Sequence, residues 1–423
     1  MRKIILLLSV CLMGLTACHD DDNGGGTDDS KTTRTVLIYM AGENNLGSGG
    51  YLHDDLKEIV EGSKYLANDQ RLFVFVDSLN TNSQAPRVPY IMEVHSGKSQ
   101  KVYEYDDDFY SCDPAYFQEI IQRVVSMAPS DSYGLVLWGH ASGWAVSPDT
   151  VASSRATRAY GQDYGTDSNR RGSKWMNITQ MAKALEGLPK MEFIFADCCN
   201  MMCAEVGYEL RNVTNYLMGS PAEIPGDGAP YHLIIPQLYQ DNSEQMCRNI
   251  IDTYYEYYED VLWYYSVPLS VIDTRYITQL AIATGEVLDK FTDGYPQYPE
   301  YPDLSADGIA YYWHYDTPIM YDMRAFIKTH VSDDVFQQWD KSYQQAVPYY
   351  RMSMEWMTIY DPLDRAFDTF NQDESRYGCV SMFIPQNTSI YFNGNFHYNK
   401  TFNNYGWNRL IDWSRFGWNE DVI

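Results

Sequence analysis

Short apolar runs alternate with amphipathic segments along the first half of the chain. Four of these runs are almost continuously hydrophobic: "RTVLIYMAG" (34–42), "RLFVFVDS" (71–78), "YGLVLWGH" (133–140) and "MEFIFADC" (191–198). Between them lie segments with apolar residues at helical spacing, such as "SCDPAYFQEIIQRVVSMA" (111–128). Apolar strands separated by helices are typical of a parallel sheet that is covered on both faces. The pattern therefore predicts an α/β fold.

The pattern changes at about residue 241. Beyond it, helical segments such as "RYITQLAIATGEVLDKF" alternate with two strand-like runs, "SVPLSVID" and "YGCVSMFIP". We therefore predict a main α/β domain over residues 34–240 and a second α/β subdomain over residues 241–423, packed on the first. The chain shows no internal repeat with a period of about 20 to 50 residues.

The N-terminus carries targeting signals. "MRKIILLLSVCLMGLTAC" has two basic residues and then an apolar run too short to cross a bilayer, which predicts a secretory signal over residues 1–17. Its end, "LTAC", resembles the lipobox of bacterial lipoproteins and implies lipidation of Cys18. Residues 18–33 are polar and glycine-rich, as in a flexible tether, and their Asp-rich start resembles the surface-export signal of Bacteroidetes lipoproteins. We therefore expect a lipid anchor in the bacterial cell envelope, at the outer membrane or the cell surface.

Composition narrows the classes of partner. The 423 residues include 31 Lys and Arg against 57 Asp and Glu, a formal charge of −26. This balance argues against a nucleic-acid binder, which would normally carry a basic surface. Six cysteines remain once Cys11 and Cys18 are set aside, and they lack the spacing of a disulfide framework or of a paired zinc site. We therefore predict no metal ligands.

Candidate chemistry lies where two buried strands end. "LVLWGHASGW" places His140 just past one strand, and "FIFADCCNMM" places Cys198 and Cys199 just past another. In open α/β sheets, side chains at the carboxyl ends of neighbouring strands can meet. A His and a Cys that meet there form a nucleophile and its general acid/base. The helix expected after Cys199 would also lower the pKa of the thiol through its dipole.

The same residues have structural interpretations. A lone His at a strand end is more often hydrogen-bonded for structural reasons, and a lone buried Cys is usually inert. Cys199 and Cys203 form a CxxxC pair, but no second pair has the spacing of a zinc site. The chain could also be a non-catalytic surface lipoprotein that binds peptides or glycans, since its 37 Tyr and 10 Trp suit such surfaces.

Four segments resemble the clostripain family of cysteine peptidases, which are relatives of caspases, legumains and gingipains. They are "TVLIYMAGENNL", "VLWGHASGW", "DCCNMMCAEVGYEL" and "YLMGSPAEIPGDGAPY", within residues 35–231, and similarity is fainter beyond. The His motif precedes the Cys motif, as in caspases, where the separation is about 50 residues. The resemblance implies a caspase-like fold with a mostly parallel central sheet flanked by helices and a C-terminal α/β extension.

The resemblance assigns a Cys-His dyad. It implies that His140 is the general acid/base and that the backbone N–H of Ala141 donates to the oxyanion. The family nucleophile follows a small residue, and Cys198 occupies that place here, so Cys199 is the implied nucleophile. Adjacent side chains should diverge, so only one of the two cysteines can face His140.

The resemblance also implies a substrate class. Asp197 and Asp227 match acidic positions that line the pocket for the residue before the scissile bond. Two carboxylates there imply protein or peptide substrates with Arg or Lys, and Arg is favoured because it can bind carboxylates bidentately. Without the resemblance, Asp227 would be interpreted as a turn residue of "PGDG".

Three positions depart from the family pattern. Ala141 stands where the family usually has Gly, Cys198 replaces a typical Ala, and Asn200 replaces a typical Leu. We expect these changes to affect rate and fine specificity more than the class of reaction.

The resemblance further implies a zymogen that cuts itself between the His and Cys motifs. The candidate cleavage positions are Arg155, Arg158, Arg170, Arg171 and Lys174. No cofactor is required for the chemistry, although some relatives need calcium. "YDDDFY" (105–110) supplies carboxylates, but an exposed acidic loop is the simpler interpretation of that segment.

Overall fold

Seventeen strands are present in the part of the chain that the computed structural model describes, which comprises residues 32–80, 82–83, 85–145, 159–165, 173–261, 267–291, 309–313, 320–352, 355–360, 365–369, 377–385, 391–392, 396–397 and 402–418. They are β1 (Thr32–Gly42), β2 (Gln70–Ser78), β3 (Tyr90–His95), β4 (Lys98–Glu104), β5 (Ser130–Trp138), β6 (Tyr160–Asp163), β7 (Lys174–Met176), β8 (Met191–Asp197), β9 (Thr214–Gly219), β10 (Leu269–Asp273), β11 (Tyr321–Asp322), β12 (Tyr349–Arg351), β13 (Glu355–Tyr360), β14 (Arg365–Thr369), β15 (Ser381–Met382), β16 (Tyr391–Phe392) and β17 (Phe396–His397).

The helices of the described residues are α1 (Asn45–Ser48), α2 (Tyr51–Gly62), α3 (Pro114–Met127), α4 (Ile178–Leu185), α5 (Ala204–Leu210), α6 (Tyr231–Ile234), α7 (Ser243–Val261), α8 (Ile277–Leu288), α9 (Met323–His330), α10 (Asp333–Ala346) and α11 (Gly406–Ile411). The Asp-Pro signal marks the start of α3, where the Asp113 side chain accepts a hydrogen bond from the N–H of Ala115. None of these helices combines the length and the hydrophobicity needed to cross a membrane.

Nine strands form one mixed sheet in the order β12-β10-β9-β8-β5-β1-β2-β3-β4. The five central strands, β9, β8, β5, β1 and β2, are mutually parallel. The two strands at each edge pair antiparallel. The predicted α/β fold with a mostly parallel central sheet is therefore confirmed.

Helices cover both faces of the sheet because side chains alternate along each strand. On one face, Val74 of β2 shares a buried cluster with Ile59 of α2 and Ile250 of α7. On the opposite face, Phe75 shares a second cluster with Ile120 of α3 and with side chains of α4, α5 and α8. The apolar runs were almost continuous in sequence because both faces are buried.

Two strand pairs were not predicted. Strand β4 is exposed at nearly every position, so its pairing with β3 leaves no apolar pattern in the sequence. Strands β6 and β7 pair with each other, and β6 lies between the His and Cys motifs, where the sequence analysis predicted no strand. In both cases backbone pairing, and not an apolar stripe, makes the strand.

The C-terminal part contributes to the same sheet. Strands β10 and β12 lie beyond residue 240, and they extend the sheet from β9. Residues 31–423 cluster as one compact unit. The division into 34–240 and 241–423 therefore describes a change of sequence pattern, and as a domain boundary it stays a prediction.

Candidate active site

The carboxyl ends of β5 and β8 carry the two predicted catalytic residues. These strands are parallel neighbours, and Trp138 lies opposite Asp197 at their ends. His140 and Cys199 each follow that pair by two residues. Because neighbouring strands are about 4.8 Å apart, the two residues emerge at the same level of the same sheet edge.

The two adjacent cysteines have different surroundings. Cys198 is fully buried in the cluster that contains Ala196, on the face covered by α3, α4 and α5. Cys199 is partly exposed, and its sulfur accepts a hydrogen bond from the N–H of Ile224 at 3.4 Å. The side chains therefore diverge, and Cys199 is the more exposed of the two residues.

The Cys199 thiol has a raised pKa in this conformation. Loss of water around the sulfur raises its pKa well above the usual range, and the Glu223 carboxylate raises it further through its charge and by accepting a hydrogen bond from the thiol. We expected a helix dipole to lower this pKa, and that prediction was wrong. Helix α5 begins only at Ala204, and the effects of burial and Glu223 prevail.

The His140 ring is held by a side chain that the sequence analysis did not single out. Its Nε2 lies 2.7 Å from Oδ1 of Asn45, which stands at the start of α1. When Oδ1 accepts, Nε2 carries the proton and Nδ1 is left to exchange a proton with a reacting group. The preceding residue, Asn44, anchors this loop by donating to the carbonyls of Ala41 at 2.9 Å and Gln162 at 2.8 Å.

Ala141 follows His140 and runs beside β6. The N–H of Gly161 donates to the His140 carbonyl at 2.8 Å, and the N–H of Ser142 donates to the Ala159 carbonyl at 2.9 Å. In such an antiparallel bridge, the N–H of the middle residue points away from the partner segment. The Ala141 methyl group is buried in the core cluster, so it leaves that N–H uncrowded.

A tight turn at Asn200, just after Cys199, packs against the loop that follows His140. Asn200 has a φ of 58°, a left-handed conformation that Asn tolerates better than the Leu typical of the family. Its carbonyl accepts a hydrogen bond from the Cys203 thiol at 2.9 Å. A Cβ atom at Gly143 would lie 2.3 Å from that carbonyl oxygen, so only glycine fits there. Cys203 therefore has a structural role in the turn.

Asp197 is buried and well supplied with hydrogen bonds. Its Oδ2 accepts from the N–H of Ala229 at 3.1 Å and from the hydroxyl of Tyr231 at 2.8 Å, and its Oδ1 accepts from Tyr254 at 3.0 Å. Burial raises the pKa of Asp197, and these three donors oppose that rise. About one of its four lone-pair sites remains for a ligand.

Two further carboxyl groups lie near Asp197. Asp227 is exposed in the turn before α6. Asp55 of α2 is buried and accepts from the indole N–H of Trp138 at 2.6 Å. Burial and then the charge of Asp197 raise the pKa of Asp55 to about 9, with a smaller contribution from Asp227. We call Asp55, Asp197 and Asp227 the Asp197 group; its member Asp55 was missed in the sequence because α2 is distant in the chain.

Comparison with known proteins identifies the family. The model of the clostripain family matches residues 38–418, which is most of the chain. The protein belongs to the clostripain family. It is therefore a cysteine peptidase that acts on peptide or protein substrates, and its chemistry needs no cofactor. This membership favours the peptidase over the non-catalytic binding protein that we also considered.

Solved structures agree with this assignment. A secreted C11 cysteine protease from Bacteroides thetaiotaomicron, in complex with an irreversible peptide inhibitor, is 26% identical to this peptidase, with a TM-score of 0.72 over 90% of this chain and 99% of the other. An inactive zymogen C11 protease from Parabacteroides distasonis is 25% identical, with a TM-score of 0.70 and the same coverage. No curated protein matches the chain significantly.

Most other predicted positions of the peptidase fall outside the described residues. These are the lipidation site and four of the five cleavage candidates: Cys18, Arg155, Arg158, Arg170 and Arg171. The fifth candidate, Lys174, lies in β7 opposite Asp163, with its ammonium 4.1 Å from the centre of the Tyr110 ring.

A second set of carboxyl groups lies around Glu43, the residue that directly precedes Asn44 and Asn45. Glu43, Asp77 and Asp163 are fully buried, and one carboxylate oxygen from each lies within 4.8 Å of the others. Asp108 of the "YDDDFY" segment interacts with Glu43, whereas Asp106 and Asp107 are exposed as expected. We call Glu43, Asp77, Asp108 and Asp163 the Glu43 cluster; the sequence analysis, which predicted no metal ligands, did not foresee it.

Proposed function

We propose that this peptidase is a lipid-anchored endopeptidase of the cell envelope that cleaves after Arg or Lys with Cys199 and His140. The observation that carries the proposal is that both residues emerge at one level from the ends of adjacent strands, with the Asp197 group beside them. Cys199 is partly exposed as a residue, whereas Cys198 is buried, which supports Cys199 as the nucleophile.

The proposed reaction uses two side chains and one backbone N–H. The Cys199 proton passes to Nδ1 of His140, and the sulfur attacks the scissile carbonyl carbon. The N–H of Ala141 donates to the oxygen as it gains negative charge. His140 then gives its proton to the leaving amine, the C–N bond breaks and a thioester remains. Water, deprotonated by His140, hydrolyses the thioester and restores the thiol.

Asn45 is a positioning residue in this scheme. Its bond to Nε2 selects the tautomer in which Nδ1 carries no proton and can accept that of the thiol. Asn44 supports it by fixing the loop between β1 and α1 to the backbone of Gln162. The arrangement parallels the way catalytic histidines are commonly oriented by a third group.

The preference for Arg or Lys rests on the Asp197 group. Asp227 is exposed and offers a carboxylate at the surface, while Asp197 provides a buried charge held by three donors. After burial, the negative charges of Asp197 and Asp227 raise the pKa of Asp55, so this region contains carboxylate repulsion. A guanidinium or ammonium group of the substrate would relieve it.

Self-cleavage is proposed for the stretch between the His and Cys motifs. Lys174 is held in a strand pair, which makes it the weakest of the five candidates. Cleavage after any of the four arginines would leave β5 and β8 in different fragments, and their pairing in the central sheet would hold the halves together. Incubation of the intact chain beside a Cys199→Ala chain tests this. Identical single bands after long incubation would refute it, and mass spectrometry of new termini would locate the cut.

The dyad is tested with short fluorogenic peptides that end in Arg, Lys or citrulline, which is a neutral isostere of Arg. We expect hydrolysis of the Arg and Lys peptides, and a loss of about 10³-fold or more in kcat/KM for Cys199→Ala. The matched control is Cys198→Ala, which should retain most activity because that sulfur is packed in the core. Activity lost in Cys198→Ala but kept in Cys199→Ala would overturn the assignment, and no hydrolysis of basic peptides would overturn the specificity.

The lipid anchor has an independent test. In cells that make lipoproteins, the Cys18→Ser chain should leave the membrane fraction, whereas the parent chain should stay in it. Equal membrane association of both would refute the anchor without bearing on the catalytic proposal.

A further inference from the structure

We infer that Glu223 binds a second basic side chain of the substrate, so that the peptidase prefers two consecutive basic residues. We call the Arg or Lys before the scissile bond the first position, and the residue that precedes it in the substrate the second position. Glu223 selects a cation at the second position. This inference rests on the proposed cleavage after Arg or Lys and adds a recognition site outside the Asp197 group.

The segment between β9 and α6 lies against the loop that carries the nucleophile. The N–H of Ile224 donates to the Cys199 sulfur at 3.4 Å, and the N–H of Asn200 donates to the Ala222 carbonyl at 3.0 Å. Glu223 lies between these two contacts and is half-buried. The backbone of Glu223 is therefore fixed beside the sulfur that reacts.

The side chain of Glu223 also reaches that sulfur. After burial, the charge of Glu223 is the largest cause that raises the pKa of the Cys199 thiol, and its carboxylate accepts a hydrogen bond from the thiol. The carboxylates of Asp197 and Asp227 act on Asp55 of α2 instead. Glu223 thus places a negative charge next to the nucleophile, in addition to the charges that serve the first position.

The order of strands indicates which part of the substrate passes Glu223. The sheet runs β9-β8-β5, and Glu223, Cys199 and His140 follow these three strands in that order. In the proposed reaction His140 protonates the leaving amine, so the residues after the scissile bond lie on the side of β5. The residues before that bond extend to the other side of Cys199, where Glu223 lies. The second position of the substrate is therefore within reach of Glu223.

Acylation of the sulfur removes a donor from Glu223. The thiol proton moves to His140 and then to the leaving amine, while the sulfur forms the thioester with the acyl carbon. The thioester sulfur has no proton to donate to the Glu223 carboxylate. A partly buried carboxylate that loses a donor is unfavourable, and a guanidinium or ammonium group can replace that donor with a charge-assisted hydrogen bond. A basic side chain at the second position therefore suits Glu223 better than a neutral one.

The sequence of the chain itself fits this preference. Between the His and Cys motifs, Arg170 and Arg171 are the only two consecutive basic residues, and both are candidates for self-cleavage. Cleavage after Arg171 would place Arg170 at the second position. Each of the other four candidates follows a neutral residue. The inference therefore favours Arg171 as the site of self-cleavage.

The test measures hydrolysis of two fluorogenic peptides by the full chain. Asn-Arg-Arg copies residues 169–171, and Asn-citrulline-Arg replaces the cation at the second position with a neutral isostere while keeping the same first position. We expect kcat/KM to be about 10-fold higher for Asn-Arg-Arg, because the neutral peptide lacks a charge-assisted hydrogen bond to Glu223.

Two variants and one control assign the preference to Glu223. Glu223→Gln should bring the ratio of the two kcat/KM values to about one, whereas Glu223→Asp keeps the charge and should retain part of the preference. Any change in the thiol pKa affects both peptides and cancels in the ratio. The matched control is Glu186→Gln, because Glu186 is exposed just before β8 begins, at the opposite edge of the sheet from Cys199. This control should keep the ratio of the parent chain.

The possible failures can be told apart. Equal kcat/KM for the two peptides in the parent chain would overturn the inference and leave the proposed cleavage after Arg intact. An unchanged ratio in Glu223→Gln, or a ratio lost in Glu186→Gln, would show that another residue selects the second position. Hydrolysis of neither peptide would refute the proposed cleavage after Arg, on which the inference rests. The first comparison uses the parent chain alone, so a variant that fails to fold does not remove the test.

Discussion

The peptidase buries carboxyl groups on both faces of its sheet and supports them in different ways. In the Asp197 group, Asp197 receives three hydrogen bonds from Ala229, Tyr231 and Tyr254. In the Glu43 cluster, Glu43 and Asp77 receive none from the residues that the structure describes. Hydrogen-bond donors let a buried carboxylate keep its charge without a counterion, whereas carboxylates that face one another require a cation or protons.

This difference in hydrogen bonding distinguishes two uses of acidic residues that the amino-acid composition alone does not distinguish. Both regions contribute to a formal charge of −26, which says nothing of where the charge is used. A carboxylate held by donors, with a lone pair to spare, suits a transient ligand such as a substrate side chain. In carboxyl groups that face one another without donors, burial and like charges raise the pKa and favour the protonated form, and the following predictions test that contrast.

The largest effect is expected for substrate selection. We expect Asp227→Asn and Asp197→Asn to lower kcat/KM for Arg peptides by about 100-fold or more, because each removes a charge opposite the guanidinium. The ratio of Arg to citrulline hydrolysis should fall towards one in both. Asp163→Asn, in the other region, serves as the matched control and should leave that ratio unchanged. An unaltered ratio in the first two variants would contradict the role of the Asp197 group.

Stability should respond with opposite signs in the two regions. Asp197→Asn places an amide N–H₂ against existing donors, so we expect a loss of about 2 kcal/mol in the free energy of unfolding. Asp77→Asn removes one of several mutually repelling groups, so it should be no less stable than the parent. Chemical denaturation measures this, and equal behaviour of both variants would remove the contrast.

Asp55 should make the free energy of unfolding depend on pH. Its pKa rises from an ordinary 3.8 to about 9 in the folded protein, so the folded state holds a proton that the unfolded chain releases. Its contribution to stability is therefore full below about pH 4 and is lost as pH rises towards 9. Asp55→Asn keeps an acceptor for Trp138 and removes this penalty. We expect its advantage over the parent to grow by about 4 kcal/mol between pH 5 and pH 8, since one proton is linked to unfolding over these three pH units. A pH-independent difference in melting temperature would disprove the shift.

The smallest effect concerns a third acid, Glu223. Its carboxylate raises the pKa of the Cys199 thiol after burial has done so. Glu223→Gln removes that charge, so the pKa should fall and the pH profile of iodoacetamide alkylation should move to lower pH. The matched control is Glu209→Gln, a change in α5 remote from the sulfur. A profile that does not move, or that moves upward, would show that Glu223 has no such influence.

Much of the fold could be predicted because buried parallel strands leave a strong pattern. The four apolar runs that we interpreted as strands correspond to β1, β2, β5 and β8 within a few residues. The exposed β4 and the short β6 were missed, because backbone pairing alone makes them strands. The "YGCVSMFIP" run contains only the two-residue β15, since loop contacts bury the rest of it.

The residues of the candidate site also divide into those that the sequence predicted and those that it did not. His140 and Cys199 were found from sequence because each follows a strand within a recognisable motif. Asn45, Asp55 and Glu223 were not, because single polar residues on distant elements carry no periodic signal. The expected lowering of the thiol pKa also failed, since the sequence could not place the start of α5 or the position of Glu223.

The amino-acid sequence by itself determined the class of fold, the family and the two residues at the strand ends, since hydrophobic pattern and local motifs are one-dimensional properties. Only the tertiary structure decided which cysteine is accessible and which carboxylates meet. That depends on the order of strands in the sheet, where β5 lies beside β8 and β1 lies beside β2. Strand order is set by packing and crossover connections between distant segments, so the meeting of Glu43, Asp77 and Asp163 could not be read along the chain.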